Sequence, residues 1–255
     1  MRSGRIVREA REHGVRVLRL DFPPANAIGE ALLEALGSEL EEAERTPEVR
    51  ALVLTGTGKF FSGGFDFSAP PRDEASVRRL QDVYRDVHAR LLGFPKPTVG
   101  MLNGHAVAGG LVLFLACDYR LGVEGDYRVG LNEVAVGAAF PRAAFEIVRL
   151  RLAHARACET ILGAALYPAS QAPRLGIVDE LFPPEVFEPT VLRRASRLAG
   201  FPREAYAHAK RLLVGDALER IRAETREEAE EAAAVWLAPE SRAAREAQRK
   251  KLGIS

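Results

Sequence analysis

Two short stretches of the chain combine residue types that can do chemistry. Ser62-Gly63-Gly64-Phe65-Asp66 follows an apolar run at 50–56, and Ala108-Gly109-Gly110 follows another at 97–102. Each pattern reads as a strand that ends in glycines before a helix begins, and the second opens the helix "GLVLFLAC". Glycine there permits positive φ and lets another group approach the backbone closely. The first N–H groups of a helix have no internal acceptor, and the positive end of the helix dipole lies behind them. Together these features make a site for an anion, or for an oxyanion that develops during a reaction. An alternative for either loop alone is a turn that simply needed glycine. Yet Gly104, Gly109 and Gly110 lie in the most apolar stretch of the chain. There, each interior helical glycine costs about 0.5–1 kcal/mol relative to alanine.

Several chemistries are excluded at once. Neither loop continues as Gly-Lys-Ser/Thr or fits GxGxxG, so neither is a phosphate loop or a dinucleotide fingerprint. Ser62 sits in no GxSxG elbow and has no His or Asp to pair with, so it reads as a loop-lining residue. The five histidines and two cysteines show no metal-ligand spacing, and no metal is expected.

Around these loops the sequence alternates strands and helices. "VRVLRLDF" (15–22), "RALVLTG" (50–56) and "PTVGML" (97–102) read as strands. Helices are expected near 29–45 and 74–92, where Leu32, Leu36 and Leu40, then Leu80, Tyr84, Val87 and Leu91, share a face. "DYRLGV" and "YRVGLNEV" read as short extended pieces, and helices follow near 141–150 and 154–163. "LGIVDELF" (175–182) reads as a strand, and from about 184 the chain reads as helix. That order predicts an α/β core, residues 1–195, with a helical C-terminal region, 196–255. No internal sequence repeat is visible.

Composition sets the remaining bounds. Lys and Arg number 36 against 35 Asp and Glu, a net charge of +1, which gives no argument for nucleic acid or an anionic membrane. The stretch 98–116 is long enough to span a bilayer, but Asn103, His105 and its glycines argue against insertion. The N-terminus shows no secretion signal, and two cysteines make no disulfide framework, so a cytoplasmic protein is expected.

"KFFSGGFDF" and "NGHAVAGGLVLFLACDYR" resemble the signature segments of the crotonase superfamily, the enoyl-CoA hydratase/isomerase family. "PANAI", "RALVLTG" and "LGIVDELF" extend the likeness collinearly from about residue 15 onward. The resemblance implies a spiral of ββα units with a helical C-terminal trimerisation region, giving a homotrimer or a dimer of trimers. It implies an acyl-CoA thioester as substrate, of the kind met in fatty acid metabolism, with coenzyme A as part of that substrate and no separate cofactor. Matched motif to motif, the oxyanion donors fall on the N–H groups of Phe65 and Gly109. Gly109 and Gly110 would let the thioester lie against the backbone, Ser62, Gly63, Gly64, Val112 and Phe140 would line the substrate site, and the backbone at Asp66 and Phe67 would hold the adenine. Lys96 and Arg142 are candidate phosphate contacts, and His105 a candidate second acid.

Hydratases of this pattern carry two glutamates. Here the first position is Val112 and the second is Glu133 in "VGLNEVAVGAAFP". One base suffices to lift an α-proton from a 3-enoyl thioester and return it at the γ-carbon, whereas water addition asks for more. "VGLNE" is similar to the Δ3,Δ2-enoyl-CoA isomerases. The neighbours Val112, Val134, Ala135, Val136, Ala138, Ala139 and Phe140 offer no cation, and an apolar setting raises a carboxyl pKa. Glu133 could instead serve as a helix cap. The expected activity is therefore Δ3→Δ2 double-bond isomerisation, with a one-glutamate hydratase or a silent acyl-CoA-binding homologue as alternatives.

Overall fold

The fold is described from a computed structural model that covers residues 4–68, 70–71 and 73–253. The strands are β1 (Arg5–Ala10), β2 (Val15–Asp21), β3 (Ala51–Gly56), β4 (Phe60–Ser62), β5 (Thr98–Leu102), β6 (His105–Val107), β7 (Tyr119–Val123), β8 (Arg128–Gly130), β9 (Leu166–Pro168) and β10 (Glu180–Phe182). The first five helices are α1 (Glu30–Arg45), α2 (Glu74–Leu92), α3 (Gly109–Leu115), α4 (Arg142–Arg151) and α5 (His154–Gly163). Four more complete the chain: α6 (Pro184–Ala199), α7 (Arg203–Arg222), α8 (Arg226–Leu237) and α9 (Pro239–Lys251).

Three successive units, β3-β4-α2, β5-β6-α3 and β7-β8-α4, place their first strand in one sheet and their second in another. The larger sheet runs β1-β2-β3-β5-β7-β10, and the smaller runs β4-β6-β8-β9. Within the smaller sheet β4, β6 and β8 are parallel neighbours. Parallel strands lie about 4.8 Å apart, so residues just beyond their ends stand within about 10 Å of one another. Residues 65, 109 and 133 lie two or three positions beyond the ends of β4, β6 and β8. The α/β spiral is thus a repeat of structure with no repeat of sequence.

The apolar stretch at 98–116 does not form one span. It divides into β5, β6 and α3, and no helix among the described residues is long and apolar enough to cross a membrane. Lys96 is no free phosphate contact: its ammonium donates to the carbonyls of Ala43 (2.6 Å) and Thr46 (2.8 Å), closing the end of α1. Arg142 is likewise engaged, paired with Glu228 and 3.8 Å from Glu146. Asp118, from "CDYR", accepts from the Thr98 amide, the Tyr206 hydroxyl and the Lys210 ammonium, which ties α7 to β5.

"LGIVDELF" is strand only over Glu180–Phe182; Leu175, Ile177 and Val178 are buried in turns instead. On α7, Val214, Leu218 and Ile221 are buried against the chain's own core, so they offer nothing to a partner, while Leu212 and Leu213 remain exposed.

Gly110 explains one of the glycines physically. A Cβ there would lie 2.5 Å from Ser62 Cβ, 2.6 Å from its Oγ and 2.7 Å from its carbonyl oxygen. Gly104 is similarly pressed against the Lys59 carbonyl, 2.1 Å from where its Cβ would be. The absent side chain at 110 therefore admits the neighbouring loop. Gly110→Ala is expected to destabilise the protein by about 1–3 kcal/mol through overpacking, despite alanine's better helix propensity. Gly215→Ala, in α7 with nothing within 4 Å, is expected to stabilise it by about 0.5–1 kcal/mol. Urea denaturation of the two variants checks the contrast; equal effects would contradict it.

Candidate active site

The first loop is held by "PANAI". Asn26, buried at φ +51°, accepts the Phe22 amide through its side chain and donates to the Phe60 and Phe61 carbonyls. Its own carbonyl accepts the Ser62 hydroxyl at 2.7 Å. Gly63 N–H bonds Ala25 O, and a short parallel bridge pairs Ile28 with Phe65. That bridge uses the Gly64 carbonyl and the Asp66 amide, at 2.7 and 2.9 Å. Successive amides alternate along extended chain, so the Phe65 N–H points away from Ile28. Gly64 has φ +86°, and a Cβ on it would sit 2.9 Å from Val107 O, so this position requires glycine. Asn103 braces the same loop, accepting the Gly56 amide and donating to Gly58 and Phe60 carbonyls.

The second loop turns at Ala108, whose φ of +51° and ψ of −132° place a non-glycine residue in a strained conformation. Gly109 is the first residue of α3, so its N–H has no intrahelical acceptor. Among the described residues no backbone carbonyl takes either the Phe65 or the Gly109 amide. A Cβ on Gly109 would meet Ile28 Cδ1 at 3.2 Å and Tyr84 Cε2 at 3.3 Å.

Glu133 follows β8 and begins the 3₁₀ turn Val134–Val136. Its carbonyl accepts from Val136 and Ala138 N–H, but its side chain makes no cap bond. The residue is 2% exposed, and Oε2 has no hydrogen-bond partner. Burial pushes its carboxyl up to about 8. With three residues per 3₁₀ turn, Val136 shares its inner face. Val134 and Ala135 turn outward to solvent, so these two do not enclose the carboxyl as the sequence suggested. Val112 is wholly buried in α3, and Phe140 is half-buried against the main core.

Tyr84, read in the sequence only as part of an apolar helix face, is what the three segments share. Its ring stacks on Phe65 (centroids 5.9 Å apart), and its hydroxyl lies 3.6 Å from where a Gly109 Cβ would be. Burial, and then the nearby Glu133 charge, keep the phenol neutral well above its ordinary range. His88 stacks on the other face at 3.7 Å, with Nδ1 2.7 Å from the Tyr84 carbonyl. Burial lowers its imidazole to about 4 against the pull of the Tyr84 and Gly109 carbonyls, so it is neutral at pH 7. An aromatic at position 84 on an i, i+4 face with His88 was the available signal. A residue buried in one core face gives no sign in the sequence that it also borders a site.

The remaining candidates sort by what they touch. Ser62 is a buried loop brace, which also accepts the Gly64 amide at 3.3 Å. Asp66 accepts the Ser68 amide and hydroxyl, closing a turn on its own backbone. Phe67 packs with Val77, Val136, Ala138, Ala233 and Trp236. His105 stacks on Phe60 (4.8 Å) and accepts the Arg128 amide at Nδ1, which makes it part of the β6–β8 pairing. A cavity of about 30 Å³ opens beside Phe65 and Tyr84, its other walls including Val77, Ala139, Pro141 and Trp236.

Two backbone N–H donors at strand ends beside a desolvated carboxyl can stabilise an enolate and move a proton. Residues 10–243 match the family described as enoyl-CoA hydratase/isomerase. The chain is 30% identical over 205 residues to the 2,3-dehydroadipyl-CoA hydratase of Escherichia coli strain K12, covering 80% of each. It is 28% identical over 203 residues to enoyl-CoA delta isomerase 1, mitochondrial, of Homo sapiens, covering 78% of this chain and 67% of that one. Its fold matches the crystal structure of the human mitochondrial delta3-delta2-enoyl-CoA isomerase with a TM-score of 0.92 over 98% of both chains, at 24% identity, a likeness of fold alone. Relatives bear both hydratase and isomerase names, and the chain belongs to the enoyl-CoA hydratase/isomerase family.

Proposed function

We propose that this protein isomerises 3-enoyl-CoA thioesters to the conjugated 2-enoyl form, with Glu133 as its one acid–base group. The observation that carries this reading is a buried carboxyl with an unpartnered oxygen just after β8, with valine at position 112 and, among the described residues, no backbone carbonyl on the Phe65 and Gly109 amides. The thioester oxygen would lie between the Phe65 and Gly109 N–H groups. Glu133 takes a proton from the α-carbon, and the electron pair passes into a dienolate whose oxygen those amides hold. The same carboxyl then returns the proton to the γ-carbon, the double bond moves into conjugation, and composition is unchanged. Each oxyanion donor contributes about 2.7–4 kcal/mol to such a transition state.

The reading is tested by supplying 2-enoyl- and 3-enoyl-CoA thioesters separately and following double-bond migration and water addition. Migration without hydration supports it, hydration overturns it in favour of a one-glutamate hydratase, and neither reaction leaves a thioester-binding homologue. Glu133→Gln keeps size and hydrogen bonding but cannot accept a proton. It is expected to lower kcat by about 10²–10⁴-fold while thioester binding persists; near-normal turnover would place the base elsewhere.

The pH dependence follows from burial. The base must be ionised, so kcat/KM should rise with pH and level off above about 8. Because the folded-state value lies above the ordinary 4.5 of a free glutamate, the folded protein holds the proton more tightly than the unfolded chain. Stability from this group is complete at low pH and is lost as pH rises from about 4.5 to about 8. Glu133→Gln should therefore gain stability over the wild type across that window, read by thermal melts at pH 5 and pH 9. A difference that does not grow with pH would contradict a desolvated Glu133.

A homotrimer, or two trimers paired, is the assembly that goes with this reading. The exposed Leu212 and Leu213 on α7 support it. Light scattering at micromolar concentration should give a multiple of three chains, and a monomer would refute it.

A further inference from the structure

A small apolar cavity adjoins Phe65 and Tyr84, and Trp236 is one of its walls. The cavity measures about 30 Å³, against the roughly 150 Å³ that accommodates benzene. Trp236 of α8 stands across it, with Phe65 edge-on to its ring at 5.8 Å and the indole N–H directed at Pro71 O, 3.5 Å away. This wall is anchored. The Arg245 guanidinium lies over the indole at 4.0 Å, donates to the Trp236 carbonyl, and donates to Gly137 O at 2.6 Å. Gly137 closes the same 3₁₀ turn that Glu133 begins, and its φ is +67°. A Cβ there would sit 2.6 Å from Ser241 Cα, so α9 presses directly on the turn. One arginine therefore fastens the wall, the turn and the C-terminal helices together.

We propose that Trp236 is the specificity-determining residue that restricts this enzyme to short-chain acyl-CoA thioesters. The proposal rests on the acyl-CoA reading given above, and it names the substrate class. In a 3-enoyl thioester the first four carbons are the reacting ones, and the space before the indole adds room for about one or two more. A longer chain has to displace the Trp236 indole, which means breaking its cation–π contact with Arg245 and its N–H bond to Pro71 O. Removing the indole opens the cavity toward Ala232, Ala233 and Val77, small or apolar side chains that suit an alkyl tail.

The test is calorimetric binding of saturated butanoyl-, hexanoyl-, octanoyl- and dodecanoyl-CoA to the full chain, which requires no turnover. The wild type should bind the four- and six-carbon esters at least tenfold more tightly than the twelve-carbon ester. Trp236→Ala should raise the dodecanoyl-to-butanoyl affinity ratio at least tenfold, and Trp236→Leu should raise it by less. If neither variant folds, the wild-type series alone decides. Dodecanoyl-CoA bound as tightly as butanoyl-CoA by the wild type, or a ratio unmoved by the substitutions, overturns the proposal alone. Failure to bind any of the four esters overturns the acyl-CoA reading with it.

Discussion

The site depends on a contact in which one side chain fills the space another residue lacks. Ser62 occupies the position that a Cβ on residue 110 would need. That interlock holds the loop after β4 against the start of α3, and so fixes Phe65 relative to Gly109. The strands beneath add the rest. Because β4, β6 and β8 are parallel neighbours, their C-terminal ends deliver the two amides and Glu133 to one small region. Asn26 and Asn103 then tie the first loop from both sides, each satisfying backbone groups that the turn leaves over. In the proposed reaction, a displacement of any of these by an ångström would spoil the placing of a thioester between the two amides and Glu133.

The electrostatics of the site run against stability. A buried carboxyl with an unpartnered oxygen finds no cation among the described residues to offset its desolvation, and of the neighbouring groups the phenol of Tyr84 and the imidazole of His88 are neutral. The strained turn at Ala108 adds a further cost, of about 1–3 kcal/mol. Both features cluster where the chain is proposed to act, and the aromatic stack Phe65-Tyr84-His88 lies beneath them. Desolvation raises the basicity of Glu133, so the property that weakens the fold is the one that would serve the proposed proton abstraction.

Much of this was legible in the sequence, and the limits have physical causes. The long strands β2, β3 and β5 and the helices α1 and α2 are regular enough for periodicity to reveal them. The strands of the smaller sheet have three residues each, too few to show alternation, and they exist only by pairing. β1 is an edge strand, RIVREA, with no continuous apolar face, and it was not foreseen. The apolar run at 175–178 is buried without being strand, since burial and strand geometry are separate facts. Glycine positions were legible, but the reason for Gly110 was not, because the group it accommodates lies 48 positions away in the chain. The same holds for Lys96 and Arg142, whose partners are set by the fold, and for Trp236, which reaches the site only because α8 folds back onto α2.

A single enclosed base makes the fate of the migrating proton the most direct measurement. A 3-enoyl-CoA thioester carrying deuterium at the α-carbon should give a 2-enoyl product with a substantial share of that deuterium at the γ-carbon. Glu133, shielded from water, would carry it between the two positions. A product with only protium at the γ-carbon, all of the transferred label having gone to solvent, would contradict transfer by one buried carboxyl.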